Sequence, residues 1–332
     1  MTSVLYGPPK EIESLADFIK AISNKPENNG PETYKLQFLY RGHSSADYDL
    51  CPSISRYKNS IKAEPGLIQS ACNRMPQTFA EDSDTIALLA KMQHYGLPTR
   101  LIDFTLNPLV ALFFACQPSE PDKDPTGVIL EMNNHVHCSG NRVPDCYNLL
   151  FDEVWKPDDE NSENNVIRNI SYRLSSNNII NNLICACIHL VPEDGIAVKD
   201  FIELVEKEKW FIRWAHACNY NQMPEKEKEL AVTALLKIPM IVEAQELLER
   251  QRIQQGVYLL IPNMLCKEKG TYMIKKELPK LYFRDRRMGK YTIKEKNKKK
   301  ILHDLDIVGI NDGFLFGDSI DKVCAYIKSS QC

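Results

Sequence analysis

The stretch His94-Tyr95-Gly96-Leu97-Pro98-Thr99-Arg100-Leu101-Ile102-Asp103-Phe104-Thr105, running on through Leu106-Asn107-Pro108 into Leu109 to Cys116, decides how this chain is to be read. Gly96-Leu97-Pro98 ends any preceding helix, because glycine tolerates the terminal turn and proline cannot extend it. Leu101-Ile102-Asp103-Phe104 is then a short strand candidate. Asn107-Pro108 opens a helix, and its residues Leu109 to Cys116 are apolar almost all round, which marks it as buried. Ala111 leaves room for its backbone to approach a neighbour closely. A strand followed at once by a buried helix places this segment at the centre of an α+β fold.

Working outward, residues 83–95 read as a helix with Ile86, Leu89, Ala90 and Met92 on or near one face. Upstream, Leu36-Gln37-Phe38-Leu39-Tyr40 suits a buried strand that opens into a loop at Arg41-Gly42-His43. Residues 11–23 place Ile12, Leu15, Phe18, Ile19 and Ile22 at helical spacing, and a Pro/Asn/Gly-rich loop follows. Downstream, Gly127 to Met132 is a strand. The stretch 138–182 is polar and weakly periodic and reads as an insertion. Helices are expected over Ile196 to Cys218, Lys226 to Leu236 and Val242 to Gln251, then a strand over Gly256 to Pro262. The tail from Lys296 to Lys328 reads helix, loop, helix. The expected organisation is a helix and loop over 1–33 and one domain over 34–332, with a helical segment at about 196–251.

Composition narrows the classes. With 43% hydrophobic and 26% charged residues the chain is globular rather than disordered. A net charge of -3, its signs mixed throughout, provides no basic field to steer nucleic acid. No run approaches the length of a membrane-spanning helix. Met1 to Pro9 lacks a basic region followed by an apolar one, so a cytoplasmic setting is expected, with the 11 cysteines free and packed as small hydrophobes. No CxxC pair occurs, and His135, His137 and Cys138 lack a partner set, so no metal site is expected. Trp210 and Trp214, four apart on one helix, read as core. The lysine-rich run Lys294 to Lys300 reads as a solvated helix start.

Two clusters can hold chemistry. Arg41, at a strand end before Gly42, offers a planar cationic fork beside a backbone that a ligand can approach. It suits phosphate, pyrophosphate or carboxylate, or else it pairs with a core carboxylate such as Asp103. The segment His94 to Thr105 brings together an imidazole, hydroxyls, a guanidinium and a carboxylate among apolar anchors, as a preorganised site requires. The alternative is a buried network of Arg100 with Asp103. Asp103, between Ile102 and Phe104, is expected to be buried. A third piece is Arg250 to Tyr258, where helix gives way to strand and where Gln254 and Gln255 have amides able to donate and accept. All three are expected to converge on one cleft.

In order along the chain, these pieces resemble the FRG domain family, named for a Phe/Tyr-Arg-Gly motif. Tyr40-Arg41-Gly42 is similar to that motif. His94 to Thr105 with Pro108 to Ala115 is similar to the central signature, although Phe104 stands where the family usually has Trp. Arg252 to Tyr258 and the segments Ile301 to Leu305, Gly309-Ile310 and Leu315 to Asp318 are similar to later parts. The likeness spans about residues 34–328. A looser resemblance is to ADP-ribosyltransferase folds: Tyr40-Arg41-Gly42 looks like their first core strand, and Phe104-Thr105 leading into Pro108, Ala111 and Phe114 looks like the strand and helix that follow.

The second resemblance implies an ADP-ribosyltransferase-like mixed sheet core, with NAD as substrate. Arg41 would hold the pyrophosphate or ribose, and Gly42, His94, Tyr95, Arg100, Thr105 and Gln254 would line the nucleotide site. The catalytic Glu of such enzymes should fall near Gln254-Gln255-Gly256, where this chain has none. Glutamine cannot act as an anionic base. Either Asp103 or Glu249 supplies the charge, with Gln255 at the vacant position, or the fold binds a nucleotide without chemistry. The expected function is thus an NAD-using transferase or glycohydrolase of toxin or defence type, acting on a protein or nucleic-acid acceptor. The alternative is a non-catalytic module binding a nucleotide, nucleic acid or protein.

Overall fold

The computed structural model describes residues 9–23, 34–56, 60–79, 84–137, 142–144, 177–217, 220–237, 240–242, 249–278, 289–317 and 319–331. The elements in chain order begin with β1 (Lys10–Glu11), α1 (Leu15–Ser23), β2 (Tyr34–His43), α2 (Ser60–Arg74), α3 (Pro76–Phe79), α4 (Thr85–His94), β3 (Leu101–Thr105), α5 (Pro108–Ala115), β4 (Gly127–His137) and β5 (Arg142–Pro144). There follow α6 (Asn177–His189), β6 (Ile196–Ala197), α7 (Val198–Val205), α8 (Lys209–Ala217), α9 (Glu225–Lys237), β7 (Met240–Val242), α10 (Glu249–Ile253) and β8 (Gly256–Leu260). The chain closes with β9 (Met264–Glu268), β10 (Thr271–Lys275), β11 (Gly289–Ile293), α11 (Glu295–Ile307), α12 (Asp312–Leu315) and α13 (Ile320–Gln331).

The fold is α+β around a mixed sheet. Strand order is β1-β11-β4-β2-β3-β8-β7, with β5 on β4, and a separate sheet runs β6-β10-β9. Only the β1–β11 edge is parallel among the described pairs. Side chains alternate across the main sheet, as strand geometry dictates. One face holds Leu39, Ile102, Phe104, Leu130 and Leu259 in a cluster with Leu50. The other face is divided. Tyr40, Ile129, Tyr291 and Ile293 pack with residues of α1, α5 and α11, whereas Leu101, Tyr258, Leu260 and Met240 pack with α4 and α6–α9. The seam between these two helical clusters is where the cleft lies.

Helix α5 is buried as its sequence requires: Val110, Ala111, Leu112, Phe113 and Ala115 are at most 3% exposed. Each large apolar side chain so buried contributes about 1.5–3 kcal/mol. The helix lies directly on two strands, and two glycines make that possible. A Cβ at Gly42 would fall 1.9 Å from the Ala111 carbonyl oxygen, and one at Gly127 would fall 2.2 Å from that of Ala115. Asn107 caps α5 by accepting from the Leu109 amide, and Asp84 caps α4 by accepting from those of Ile86 and Ala87.

Several boundaries differ from the sequence reading. Strand β2 does not end before Arg41 but continues through His43, because β4 pairs with it to the last register position, His43↔Val128. Helix α1 starts at Leu15 rather than 11: the Ser14 hydroxyl accepts from the Asp17 amide at 3.1 Å, while Lys10–Glu11 pairs as an edge strand. Ile19, expected on the apolar face, is 45% exposed. The 196–218 helix is two helices, α7 and α8, preceded by β6. Val242 belongs to strand β7, held against β8, and not to a helix. Part of the supposed insertion is helix α6, with Ile179 and Ile180 buried; 145–176 lie outside the described residues. Strands β9, β10 and β11 were not anticipated.

Trp210 and Trp214 are core, at 5% and 0% exposure. Seven described cysteines are free, but only Cys116 and Cys187 are buried, and Cys185 and Cys324 are exposed. The lysine run does begin a helix, yet Lys298 is buried. Its ammonium donates to the Ser44 carbonyl at 2.7 Å and the Gln117 carbonyl at 3.2 Å, tying α11 to the ends of β2 and α5. Among the described residues no group of His, Cys, Asp and Glu suits a metal, and no helix is long and apolar enough to cross a membrane.

Candidate functional site

β2 follows β4 along its whole length but meets β3 at one register position, Tyr40↔Thr105. Beyond that point the two strands part, and Arg41 stands in the split. Its Nη1 donates to the Asp103 backbone carbonyl at 2.5 Å, taking the place of a ladder bond. Its Nε donates to His43 Nε2 at 2.9 Å, so that nitrogen must be unprotonated. Burial, together with the charges of Arg41 and Arg56, pushes the His43 pKa down to about 3.

The Asp103 side chain projects from the opposite face of the split and is 63% exposed. Gln93, in the last turn of α4, donates from Nε2 to Asp103 Oδ1 at 2.8 Å and accepts from the Thr99 hydroxyl. Arg41 Nη1 lies 3.8 Å from Asp103 Oδ2. Across the seam, the Thr105 hydroxyl donates to the Gln254 carbonyl at 2.6 Å and accepts from the Asn107 amide at 2.9 Å. That bond fixes the turn from α10 into β8. Gln251 donates to the Tyr258 hydroxyl. Burial, then the nearby Asp103 carboxylate, raises the Tyr258 pKa, so the phenol stays neutral.

Together these groups enclose a cavity of about 270 Å³. Its lining includes Arg41, Gly42, His94, Asp103, Thr105 and Gln254, drawn from three separate stretches of sequence. Four expected site residues lie elsewhere. Arg100 is wholly buried and faces away: Glu64 closes its fork with two hydrogen bonds, and its Nη1 donates to Asn263 Oδ1 at 3.0 Å. Burial works against the Arg100 charge, but the Glu64 carboxylate raises its pKa overall. The expected Arg100–Asp103 network therefore does not exist, and the expectation of a buried Asp103 fails with it: on β3 the side chain of Asp103 points into the seam and those of its neighbours into the core. Tyr95 is 61% exposed, its ring edge-on to those of Phe79 and His94. Glu249 is exposed at the start of α10. Gln255 sits outside the cavity lining, in the turn, at φ +48°, its carbonyl accepting from Leu106.

Residues 36–124 match the family model of the FRG domain. The chain carries an FRG domain. No curated protein and no solved structure matches the chain. Within the cleft, the FRG match supplies Arg41, Gly42, His94, Asp103 and Thr105. The facing wall of Arg250, Gln251, Gln254 and Tyr258 comes from beyond residue 124. Sequence reading did not single out Gln93 or Phe114 as site residues, and within the piece Arg250 to Tyr258 it chose Gln254 and Gln255 rather than Arg250, Gln251 and Tyr258. For α10 a signal was present, since 250, 251 and 254 fall on one side of a helical turn.

Proposed function

We propose that the FRG cleft binds an NAD-type nucleotide and that Asp103 acts on it, as an NAD glycohydrolase or ADP-ribosyltransferase. The observation that supports this most is the placement of Asp103: an exposed carboxylate, oriented by Gln93, in a cavity that also presents the guanidinium groups of Arg41 and Arg250. The cations suit phosphates, and Phe114 and Tyr258 add aromatic surface to the lining. At about 270 Å³ the cavity takes one half of a dinucleotide, and the other half extends along its open side.

In this reading the bond from ribose C1′ to the nicotinamide nitrogen breaks, its electron pair neutralising the pyridinium. The Asp103 carboxylate stabilises the resulting oxocarbenium ion. Water adds at C1′ and loses its proton to Asp103 or solvent, giving ADP-ribose and nicotinamide; in a transferase the acceptor replaces water. The test is incubation with NAD and chromatographic detection of free nicotinamide. Asp103→Asn should abolish release while ADP-ribose still binds. Release unchanged in Asp103→Asn would remove Asp103 from the chemistry. A second reading, nucleotide binding without chemistry, is favoured by one feature: the described lining contains Gln93, Gln251 and Gln254 but no glutamate. ADP-ribose binding with no nicotinamide release from the parent protein would select it.

A further inference from the structure

Arg41 and Arg250 line the cleft and Arg100 adjoins β3, and the three differ in how many N–H groups remain free. The fork of Arg100 is closed by Glu64. Arg41 commits Nε to His43 and Nη1 to the Asp103 carbonyl. The guanidinium of Arg250, which lines the cavity, makes no hydrogen bond or ion pair with a described residue. What it does contact is a ring: its guanidinium carbon lies 4.4 Å from the centroid of Phe316. A cation over an aromatic face is held by the ring's quadrupole and gives up none of its in-plane donors.

The platform is itself fixed. Phe316 is 9% exposed and meets Phe114, a cavity residue, edge to face at 6.1 Å. One residue before it, the Leu315 carbonyl accepts from Gln254 Nε2 at 3.0 Å. The end of α12 is thus fastened to α10 and the turn after it at two points, the Arg250–Phe316 stack and the Gln254–Leu315 bond.

We infer that Arg250 is the residue that grips the anionic part of the cleft's ligand, and that Phe316 is its positioning residue. This rests on the reading of the cleft as a nucleotide site and assigns to Arg250 the phosphate contact that the sequence suggested for Arg41. Stacking sets the plane of the guanidinium, so its free edge can take two phosphate oxygens at once. The 89 residues from 36 to 124 that match the FRG domain therefore do not complete the site: the anion-binding half is contributed by residues around 250 and 316, well beyond it.

The experiment uses the full chain and two kinds of probe. Phenylglyoxal labelling followed by mass spectrometry should modify Arg250 in the native protein and spare Arg100, and inorganic pyrophosphate should protect Arg250. Labelling of Arg250 at the same rate with and without pyrophosphate overturns the inference. In calorimetric titrations with ADP-ribose, Arg250→Gln should lose about tenfold or more in affinity. Phe316→Leu should lose about three- to tenfold, and Phe316→Tyr, which restores the ring face, should recover it. Phe316→Leu should cost nothing further in the Arg250→Gln background. Additive losses, or failure of tyrosine to rescue while the variant melts like the parent, overturn the role of Phe316. If pyrophosphate protects Arg250 but neither NAD nor ADP-ribose binds, the nucleotide reading fails and the anion assignment stands. The Phe316 variants are then read with pyrophosphate.

Discussion

Two arginine–carboxylate pairs involve β3, and they are built to opposite ends. Just before it, Arg100 and Glu64 are 0% and 2% exposed and fully hydrogen-bonded; at its middle, Arg41 and Asp103 are 18% and 63% exposed and 3.8 Å apart. Both resemble motifs of chemical interest in the sequence. The difference teaches that residue type alone does not mark a site. A sealed pair has spent its donors and acceptors on each other, so it specifies packing. An open pair, propped by neighbours, keeps capacity for a ligand.

The largest effect should come from breaking the sealed pair. Glu64→Ala leaves an uncompensated buried guanidinium and should cost about 3–5 kcal/mol, read as a lowered urea midpoint. That is a large share of a domain's stability. A midpoint within error of the parent would mean that Arg100 finds other acceptors, and the contrast between the pairs would collapse.

Acid should act on the open cluster through His43. His43 is held from its ordinary 6.5 down to about 3, so the unfolded chain takes up its proton first as pH falls. The stability it contributes is whole above about pH 6.5 and is lost on acidification, on the order of 1–2 kcal/mol between pH 7 and pH 5. Protonation would also set His43 against the Arg41 Nε–H that it now accepts. Melting curves across that range should show the loss, and His43→Gln should flatten it. An equal slope in the variant would place the titration elsewhere.

The smallest effect should be that of Asp103→Asn on stability: below about 1 kcal/mol, as for an exposed ion pair. Sequence reading, which expected Asp103 to be buried and bonded to Arg100 or to backbone donors, implied a much larger cost. If Asp103→Asn melts as early as Glu64→Ala, the open pair is structural after all and Asp103 loses its standing as a site residue.

What the sequence determined by itself is local. The strand Leu101–Thr105, the cap at Asn107, the buried helix after it, the helix stop after His94 and the FRG motif at Tyr40-Arg41-Gly42 were all legible, because periodicity, capping chemistry and glycine placement act over a few residues. The gathering of Arg41, Asp103 and Gln254 was legible only as an expectation that polar residues at apolar ends meet. Tertiary structure alone decided the rest. Glu64, 36 residues before Arg100, becomes its partner because the fold brings α2 to Arg100. Strands β7 and β11 exist through ladders to β8 and β4 that short apolar runs do not announce, and β9 and β10 pair as a hairpin. Arg250 reaches the cleft because Thr105 fixes the α10–β8 turn and Phe316 stacks beneath its guanidinium. Which face a side chain presents is set by alternation along its own strand, but what meets it there is set by the neighbouring strand and the helix above, and no local pattern encodes those.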